Sequence, residues 1–340
     1  MRVAAPSSAS DRGAMVDPRR PLSDPADVQN AIRETELSRL SPGSGSDPEK
    51  RGRPRADASV ETLILEAGRA SQGYWRDIWR YRELAYFLAL RDVLVRYKQT
   101  AIGIAWAVIR PVLTAFVLTW VFSKGAQLKT SDRSIPYVLW VYVAAAPWQF
   151  FADGLTAASN SLVSNANMIS KVYFPRMLMP ISRIFVSFLD FSVASLILVL
   201  LVVVYHFSLY HFSPSWTVLF MPAFLLMAFA ASLACGVWFA TLNVQYRDFT
   251  YLVPFLVTFG IYVSPVGISS DQFVRSGWLR VAYSLNPMVG VLDGFRWCLF
   301  GARAPLYWPG QVASFTTILL VLFTGLCYFR RFERTFADSI

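Results

Sequence analysis

The sequence predicts an all-α polytopic membrane protein with six transmembrane helices, an N-terminal cytoplasmic interfacial amphipathic helix, and short re-entrant or periplasmic helices before the last span. Three observations indicate this class. The 340 residues are 55% hydrophobic and only 16% charged, whereas soluble domains average about 25% charged residues. Apolar residues gather in segments of about 20 residues, the length that a helix needs to cross a bilayer. Every aromatic residue lies at or after Tyr74, so a polar tail precedes an apolar body.

The tail, residues 1–57, is rich in serine, proline, aspartate and arginine. Such a segment cannot bury enough apolar area to offset its chain entropy, so we predict a disordered polar cytoplasmic tail. Its basic and acidic side chains nearly balance, and the net charge of +10 therefore belongs mostly to the apolar body. Charge of that kind orients helices in a bilayer, and we expect no binding of nucleic acid.

Residues 58–102 form a cytoplasmic segment that contains the amphipathic helix. Within residues 74–98, apolar side chains recur at helical spacing and charged side chains occupy the other faces of the helix. The segment has too many charged residues to cross a bilayer. Trp75, Trp79 and Tyr86 suit the depth at which aromatic rings meet lipid head groups. We therefore predict that this helix lies flat at the membrane interface.

Residues 103–329 form the predicted transmembrane domain, and residues 330–340 a cytoplasmic C-terminus. The spans are about 103–122, 135–152, 181–205, 216–241, 250–266 and 310–329. Basic residues cluster before the first span, between the second and third, and after the last. By the positive-inside rule, both termini are cytoplasmic.

The segment 267–309, before the last span, contains two moderately apolar stretches broken by Asn286-Pro287. Each is too short and too charged to cross a bilayer. A re-entrant hairpin, or two helices dipping into the outer leaflet, would fit if protein or a water-filled cavity satisfied the backbone. Such an element would line a pore; the alternative is a surface cap.

Motifs of the common enzyme classes are absent from the sequence. It has no Gly-Lys dipeptide and hence no P-loop, no G-x-S-x-G and no H-E-x-x-H. A membrane glycosyltransferase would need acidic residues such as Asp-x-Asp, which is also missing. The three cysteines and two histidines lack the spacing of a disulfide framework or metal site. We expect a non-catalytic chain with no metal, driven by a partner or an ion gradient.

An ion-coupled carrier would bury ionisable groups within its spans. Arg110 in the first span and Asp190 in the third each lie several residues inside the cytoplasmic boundary. Because a matched pair costs less than a lone buried ion, we predict an intramembrane charge pair between them. The alternative is that each side chain snorkels separately to the inner interface.

Four stretches carry a resemblance to a known family. They are Arg80–Pro111, Ser159–Ser182 with its Lys-x-x-Phe-Pro pattern, Val244–Phe255 and Tyr328–Ile340. In this order and spacing, the chain resembles the membrane-spanning permease subunit of bacterial ABC-2 type polysaccharide exporters, which serve O-antigen, capsule or teichoic acid. Arg110 and the long tail depart from the family's pattern.

The resemblance implies a half-transporter of the bacterial cytoplasmic (inner) membrane. A homodimer of this permease would work with two copies of an ABC nucleotide-binding subunit and export a lipid-linked polysaccharide, with O-antigen as the first candidate. This chain would contact membrane lipids and bind no cofactor, while ATP and Mg²⁺ would sit on the partner subunit. The alternatives are an ABC-2 type exporter of drugs or other small molecules, and an ion-coupled carrier.

The inner loop Ser159–Ser182 is polar and closes with Phe174-Pro175, which suits a short coupling helix against the ATP-binding subunit. The expected contacts are Lys171, Tyr173, Phe174 and Arg176, with Arg247 and Asp248 on the next inner loop as a secondary site. The alternative is that Arg176 and Arg247 serve only as topology charges.

Two aromatic stripes are candidates for the translocation path, because aromatic faces offer broad contact to sugars without fixed hydrogen-bond geometry. The path residues are Trp106, Phe116 and Trp120 in the first span and Phe255, Phe259 and Tyr262 in the fifth. The alternative is that both stripes face lipid or neighbouring helices.

Overall fold

A computed structural model describes residues 74–98, 105–125, 135–169, 171, 174–207, 213–274, 277–333 and 336. All regular elements within these ranges are helical. The predicted all-helical class is therefore confirmed. The predicted tail, residues 1–57, lies outside the described residues, as do residues 337–340 of the predicted C-terminus.

Thirteen α-helices are described. They are α1 Tyr74–Arg80, α2 Arg82–Lys98, α3 Ala105–Thr119, α4 Tyr137–Ser159, α5 Ser161–Ser164, α6 Ala166–Ile169, α7 Leu178–Phe207, α8 Met221–Gln245, α9 Phe249–Val263, α10 Ser270–Phe273, α11 Gly277–Tyr283, α12 Pro287–Phe300 and α13 Trp308–Phe332. A π-helical turn, Trp120–Gly125, extends α3, and a 3₁₀ turn, Trp216–Phe220, leads into α8.

Three of these elements are long and apolar enough to cross a membrane: α7, α8 with its 3₁₀ turn, and α13. They coincide with the third, fourth and sixth predicted spans. Two shorter apolar stretches, Val108–Phe122 and Phe249–Val263, coincide with the first and fifth. Within the described residues, the apolar helices thus follow the pattern of a polytopic membrane protein.

The remaining predicted span corresponds to α4, the centre of the bundle. Seventeen of its 23 residues are buried, and it packs against α3, α7, α8, α9 and α12. At about 1.5 Å per residue it is about 35 Å long, enough to cross a bilayer. Because other helices surround it, it can carry polar groups such as Gln149 and Asp153 among its apolar residues.

The segment before α13 is buried in the bundle along one of its helices, α12. Asn286 caps α12 by accepting a hydrogen bond from the Met288 N–H at 3.0 Å, and Pro287 occupies the first turn, where its missing N–H costs nothing. Eleven of the 14 residues of α12 are buried, against α4, α8 and α13. By contrast, the short helix α11 has no buried residue.

Several segments meet at one end of the bundle, which we call the loop end. It comprises α1, α2, the described residues between 160 and 177 and the last turn of α13. Apolar side chains from each of them pack together there, among them Leu88, Leu162, Phe174 and Phe329. This packing fixes the segment in which the coupling residues were predicted.

Candidate functional site

The segment between α4 and α7 is attached to α8 and α2 by hydrogen bonds that involve side-chain amides. Asn243 on α8 donates from Nδ2 to the carbonyl oxygen of Ser159 at 2.8 Å. Arg91 on α2 donates to Oδ1 of Asn165 at 2.9 Å. The single-turn helix α5 lies between these two attachments and α6 follows them. The start of the segment is therefore tied to both α2 and α8.

Three of the predicted coupling residues lie on the surface. Lys171 follows α6, and Arg247 and Asp248 form the turn between α8 and α9; all three are exposed. Tyr173 lies outside the described residues. These three exposed charged side chains are available to another protein.

The other two predicted coupling residues face the chain itself. Phe174 is buried in the apolar cluster of the loop end. The backbone N–H of Arg176 donates to Oε1 of Glu333 at 3.1 Å, and its guanidinium donates to the Glu333 carbonyl oxygen. Arg176 also lies 5.8 Å from the ring centroid of Phe336. Within this chain, Arg176 ties the segment to the end of α13, and Phe174 packs inside the loop end. Their contact with an ATP-binding subunit stays a prediction.

Glu333 is the acidic centre of this anchor. Its Oε1 also accepts a hydrogen bond from the Tyr74 hydroxyl at 3.3 Å, which joins α1 to the same point. Burial raises the pKa of Glu333, although Arg176 and Arg330 oppose the shift. Burial raises the pKa of Tyr74 as well. Tyr74, Arg176 and Glu333 therefore form a largely buried polar junction.

The two predicted aromatic stripes lie on exposed surfaces of α3 and α9. The six path residues are between 51% and 65% exposed. Both helices pack on α4, so each stripe points away from the core. In α9 the rings of Phe255 and Phe259 are 4.4 Å apart. The exposed stripes are available to lipid, to a second copy or to a substrate.

Arg110 and Asp190, predicted as an ion pair, have different partners. Arg110 donates from Nη1 to both carboxylate oxygens of Asp153 on α4, at 3.1 and 3.3 Å. Asp190 on α7 lies 2.8 Å from Nη2 of Arg96 on α2 and accepts a hydrogen bond from the Tyr97 hydroxyl. The structure thus has two ion pairs, Arg110–Asp153 and Arg96–Asp190, in place of the single predicted pair. The depth of a residue within its span does not show which helices are neighbours.

The two ion pairs line one cavity of about 380 Å³ between α2, α3, α4 and α7. Trp106 and Gln149 also line it. Burial and the hydrogen bond to Asp190 raise the pKa of Tyr97, in the same wall, to about 12. Polar and charged groups from four helices thus converge on a space large enough for a small ligand.

The sequence reasoning missed two residues that organise these sites. Asp153 is the only charged residue in α4, and that isolation could have marked it, but the predicted span ended at residue 152. Glu333 is the one acid within the otherwise basic stretch Arg330–Arg334. In each case the sequence shows one acidic residue among apolar or basic neighbours, and that pattern could have marked the residue as important.

Comparison with known proteins gives a family match and relatives that belong to one class of protein. The model of the ABC-2 type transporter family matches residues 83–300. An O-antigen export system permease protein RfbA of Myxococcus xanthus is 25% identical over 269 residues, covering 78% of this chain and 98% of that protein. A protein of the same name from Klebsiella pneumoniae is 26% identical over 258 residues, covering 76% and 95%. Since the family model matches well over half of the sequence, the chain belongs to the ABC-2 type transporter family.

Proposed function

We propose that this chain is the membrane permease subunit of an ATP-driven exporter of a lipid-linked polysaccharide, with O-antigen as the favoured substrate. The observation that carries the proposal is the extent of the match to O-antigen export permeases, which covers 95–98% of their length. The resemblance is therefore to whole permeases and not to one shared segment.

The ATP that drives export would be bound and hydrolysed, with Mg²⁺, by a separate subunit in two copies. The exposed side chains of Lys171, Arg247 and Asp248 support this assignment. Lys171 follows the helices α5 and α6, and the Arg247–Asp248 turn follows Asn243, which is hydrogen-bonded to the end of α4. A push on the segment between α4 and α7 would reach α7 directly and α13 through the Arg176–Glu333 contact. The loop end would face the cytoplasm of a bacterial inner-membrane protein, with both termini on that side.

The glycan would pass between two copies of the permease. The aromatic stripes of α3 and α9 support this path, because they lie on the surface and not inside the single chain. A homodimer that opposes these surfaces would enclose an aromatic lining at its seam. Aromatic faces hold sugar rings over a broad area and without fixed hydrogen bonds, which permits sliding.

Co-purification with a candidate ATP-binding subunit tests the proposal. We expect a complex of two permeases and two ATP-binding subunits, with ATPase activity that a lipid-linked glycan stimulates. The permease alone should show no ATPase activity. Stimulation by small drugs, but not by a lipid-linked glycan, would instead favour a small-molecule exporter.

A further inference from the structure

We infer that Arg296 is a positioning residue of the translocation path, because it holds the turn at which the two helices with aromatic stripes meet. We call residues 264–268, between α9 and α10, the junction turn. The inference rests on the proposed function, which assigns the stripes of α3 and α9 to the path. It goes further by naming the groups that fix the two stripes relative to each other.

Arg296 is a fully buried charged residue of α12, with a side chain that is only 1% exposed. Its guanidinium donates from Nη2 to the carbonyl oxygen of Val266 at 2.7 Å and from Nη1 to that of Ile268 at 3.5 Å. Both carbonyl groups lie outside the helices, and inside a membrane protein such groups need a donor. One guanidinium can serve both, because its five N–H donors form a rigid fork.

The surroundings of Arg296 hold the guanidinium in place. Oδ1 of Asp293, on the same helix, lies 3.8 Å from Nη1, and the Ser270 hydroxyl donates to the other oxygen of this carboxylate. The ring centroid of Trp140 on α4 lies 4.5 Å from the guanidinium carbon, a distance that suits a cation–π contact. A buried charge is tolerated where it has such partners. Arg296 can therefore act as a fixed support for the junction turn.

The end of α9 is attached to this support by two further hydrogen bonds. The Tyr283 hydroxyl donates to the carbonyl oxygen of Val263 at 2.8 Å, which satisfies one of the last carbonyl groups of the helix. Nδ2 of Asn286 donates to the Ser264 hydroxyl oxygen at 3.0 Å. Tyr262, the last residue of the α9 stripe, directly precedes these contacts.

The end of α3 reaches the same turn through Phe122. This residue lies in the π-helical turn that extends α3, together with Trp120, the last residue of the α3 stripe. Its ring packs so closely on Gly267 that a methyl group at Gly267 would lie 2.4 Å from two ring carbons. The Tyr137 hydroxyl, at the start of α4, donates to the Gly267 carbonyl oxygen at 2.8 Å. The ends of both stripes thus meet at Gly267.

The junction turn lies at the opposite end of α4 from the loop end, because Tyr137 begins that helix and Ser159 ends it. A movement that an ATP-binding subunit transmits to the loop end would reach α3 and α9 at their first turns. With their far ends joined at Gly267, the two helices would tilt about one shared point and their stripes would stay side by side. Loss of the junction would let each stripe move separately.

A distance measurement on the full-length chain tests the positioning without any ATP-binding subunit. Nitroxide labels are attached at Val112→Cys on α3 and Tyr251→Cys on α9, two exposed positions outside the stripes, after the three native cysteines are replaced by alanine. The chain is placed in nanodiscs and diluted with unlabelled chain, so that double electron–electron resonance measures distances within one chain. We expect a single narrow distance distribution when Arg296 is present.

The decisive variant is Arg296→Gln with Asp293→Asn, which removes the guanidinium and its counter-ion together. It should broaden the distribution, because α3 and α9 lose their shared support. Gly236→Ala is the control for general destabilisation, since its added methyl group meets Ala158 on α4 and not the junction turn. It should lower thermal stability and leave the distance unchanged. An unchanged distance in the neutral pair, or equal broadening in both variants, would overturn the inference.

Tyr137→Phe decides the question if the neutral pair fails to fold. It removes only the hydroxyl that binds the Gly267 carbonyl, and it should broaden the distribution. Tyr142→Phe is its matched control, because it removes a hydroxyl from the same helix that donates at 2.9 Å to the Ala194 carbonyl on α7. It should leave the distance unchanged. Equal distributions in the two tyrosine variants would then overturn the inference.

Export separates a positioning role from a merely structural one. In a complex with the ATP-binding subunit, the variant that broadens the distance should export less glycan per ATP hydrolysed, because its stripes no longer move together. A normal ratio of export to hydrolysis in that variant would overturn the role of Arg296 in the path. Failure of the wild-type complex to export a lipid-linked glycan would instead contradict the proposed function, while the distances measured in the permease alone would stand.

Discussion

Arg110 on α3 holds both carboxylate oxygens of Asp153 on α4 with a single guanidinium nitrogen, at 3.1 and 3.3 Å. The contact joins the exposed helix that carries one aromatic stripe to the buried helix at the centre of the bundle. The partner of Arg110 is therefore Asp153 and not Asp190, which the sequence predicts from its similar depth in the membrane. The energetic consequences of this pairing can be measured.

A double-mutant cycle distinguishes the observed partner of Arg110 from the predicted one. We expect a coupling free energy of about 0.5–1 kcal/mol between Arg110→Gln and Asp153→Asn, modest because the Arg110 side chain is half-exposed. Arg110→Gln with Asp190→Asn should be nearly additive. The measurement is reversible unfolding in mixed micelles. A larger coupling to Asp190 than to Asp153 would contradict the observed pairing.

The loop end should respond differently to changes at Lys171 and Arg176. Lys171→Glu should weaken association with the ATP-binding subunit and leave the thermal stability of the permease unchanged, because Lys171 is exposed. Arg176→Ala should lower thermal stability, because it removes the guanidinium contact with the Glu333 carbonyl and the packing on Phe336. Pull-down with the partner and thermal unfolding of the permease alone measure the two effects. Reversal of the two phenotypes would show that the docking surface is misassigned.

The close approach of α4 and α8 depends on Gly236. A methyl group at this position would lie 2.6 Å from Cβ of Ala158, as expected where small residues let membrane helices pack closely. Gly236→Ala should destabilise the protein by about 1–3 kcal/mol, and a second change, Ala158→Gly, should recover part of the loss. Gly277→Ala is the control, because nothing in the described part of the chain lies within 4 Å of its added methyl group. Equal stability of the Gly236 and Gly277 variants would argue against this helix contact.

The aromatic stripe of α9 should matter for export and not for folding. Phe259→Ala and Tyr262→Ala should reduce glycan export while protein level and basal ATPase activity stay unchanged, because both side chains are exposed in the single chain. Phe323→Ala on α13 is a matched control, since it is also an exposed aromatic residue but lies outside the proposed path. Export that is equally normal in all three variants would remove α9 from the path.

The apolar helices were accessible to sequence reasoning because a bilayer requires long apolar runs. The predicted spans 181–205 and 310–329 fall within α7 and α13, and each falls short of the observed helix by two or three residues at either end. The predicted span 135–152 stopped before Asp153, although α4 continues to Ser159. A charge ends a hydropathy run, but it does not end a helix when a neighbouring helix supplies its partner.

The partners of the charged side chains could not be predicted from the sequence. Depth within a span follows from residue counting, and Arg110 and Asp190, for which the sequence predicts a similar depth, both line one cavity. The direction of each side chain depends on which helices are neighbours, and a single sequence does not contain that information. The inward orientation of Arg176 likewise depends on Glu333, which is 157 residues away. That of Phe174 depends on the apolar cluster of the loop end.

Transport in inverted membrane vesicles tests the central claim most directly. The vesicles contain the permease and its ATP-binding subunit. A labelled lipid-linked glycan is added to the outer solution, which contacts the cytoplasmic face of the membrane. The account predicts that the glycan accumulates in the lumen only when both subunits and hydrolysable ATP are present. Accumulation with the permease alone, or ATP hydrolysis by the permease alone, would contradict it.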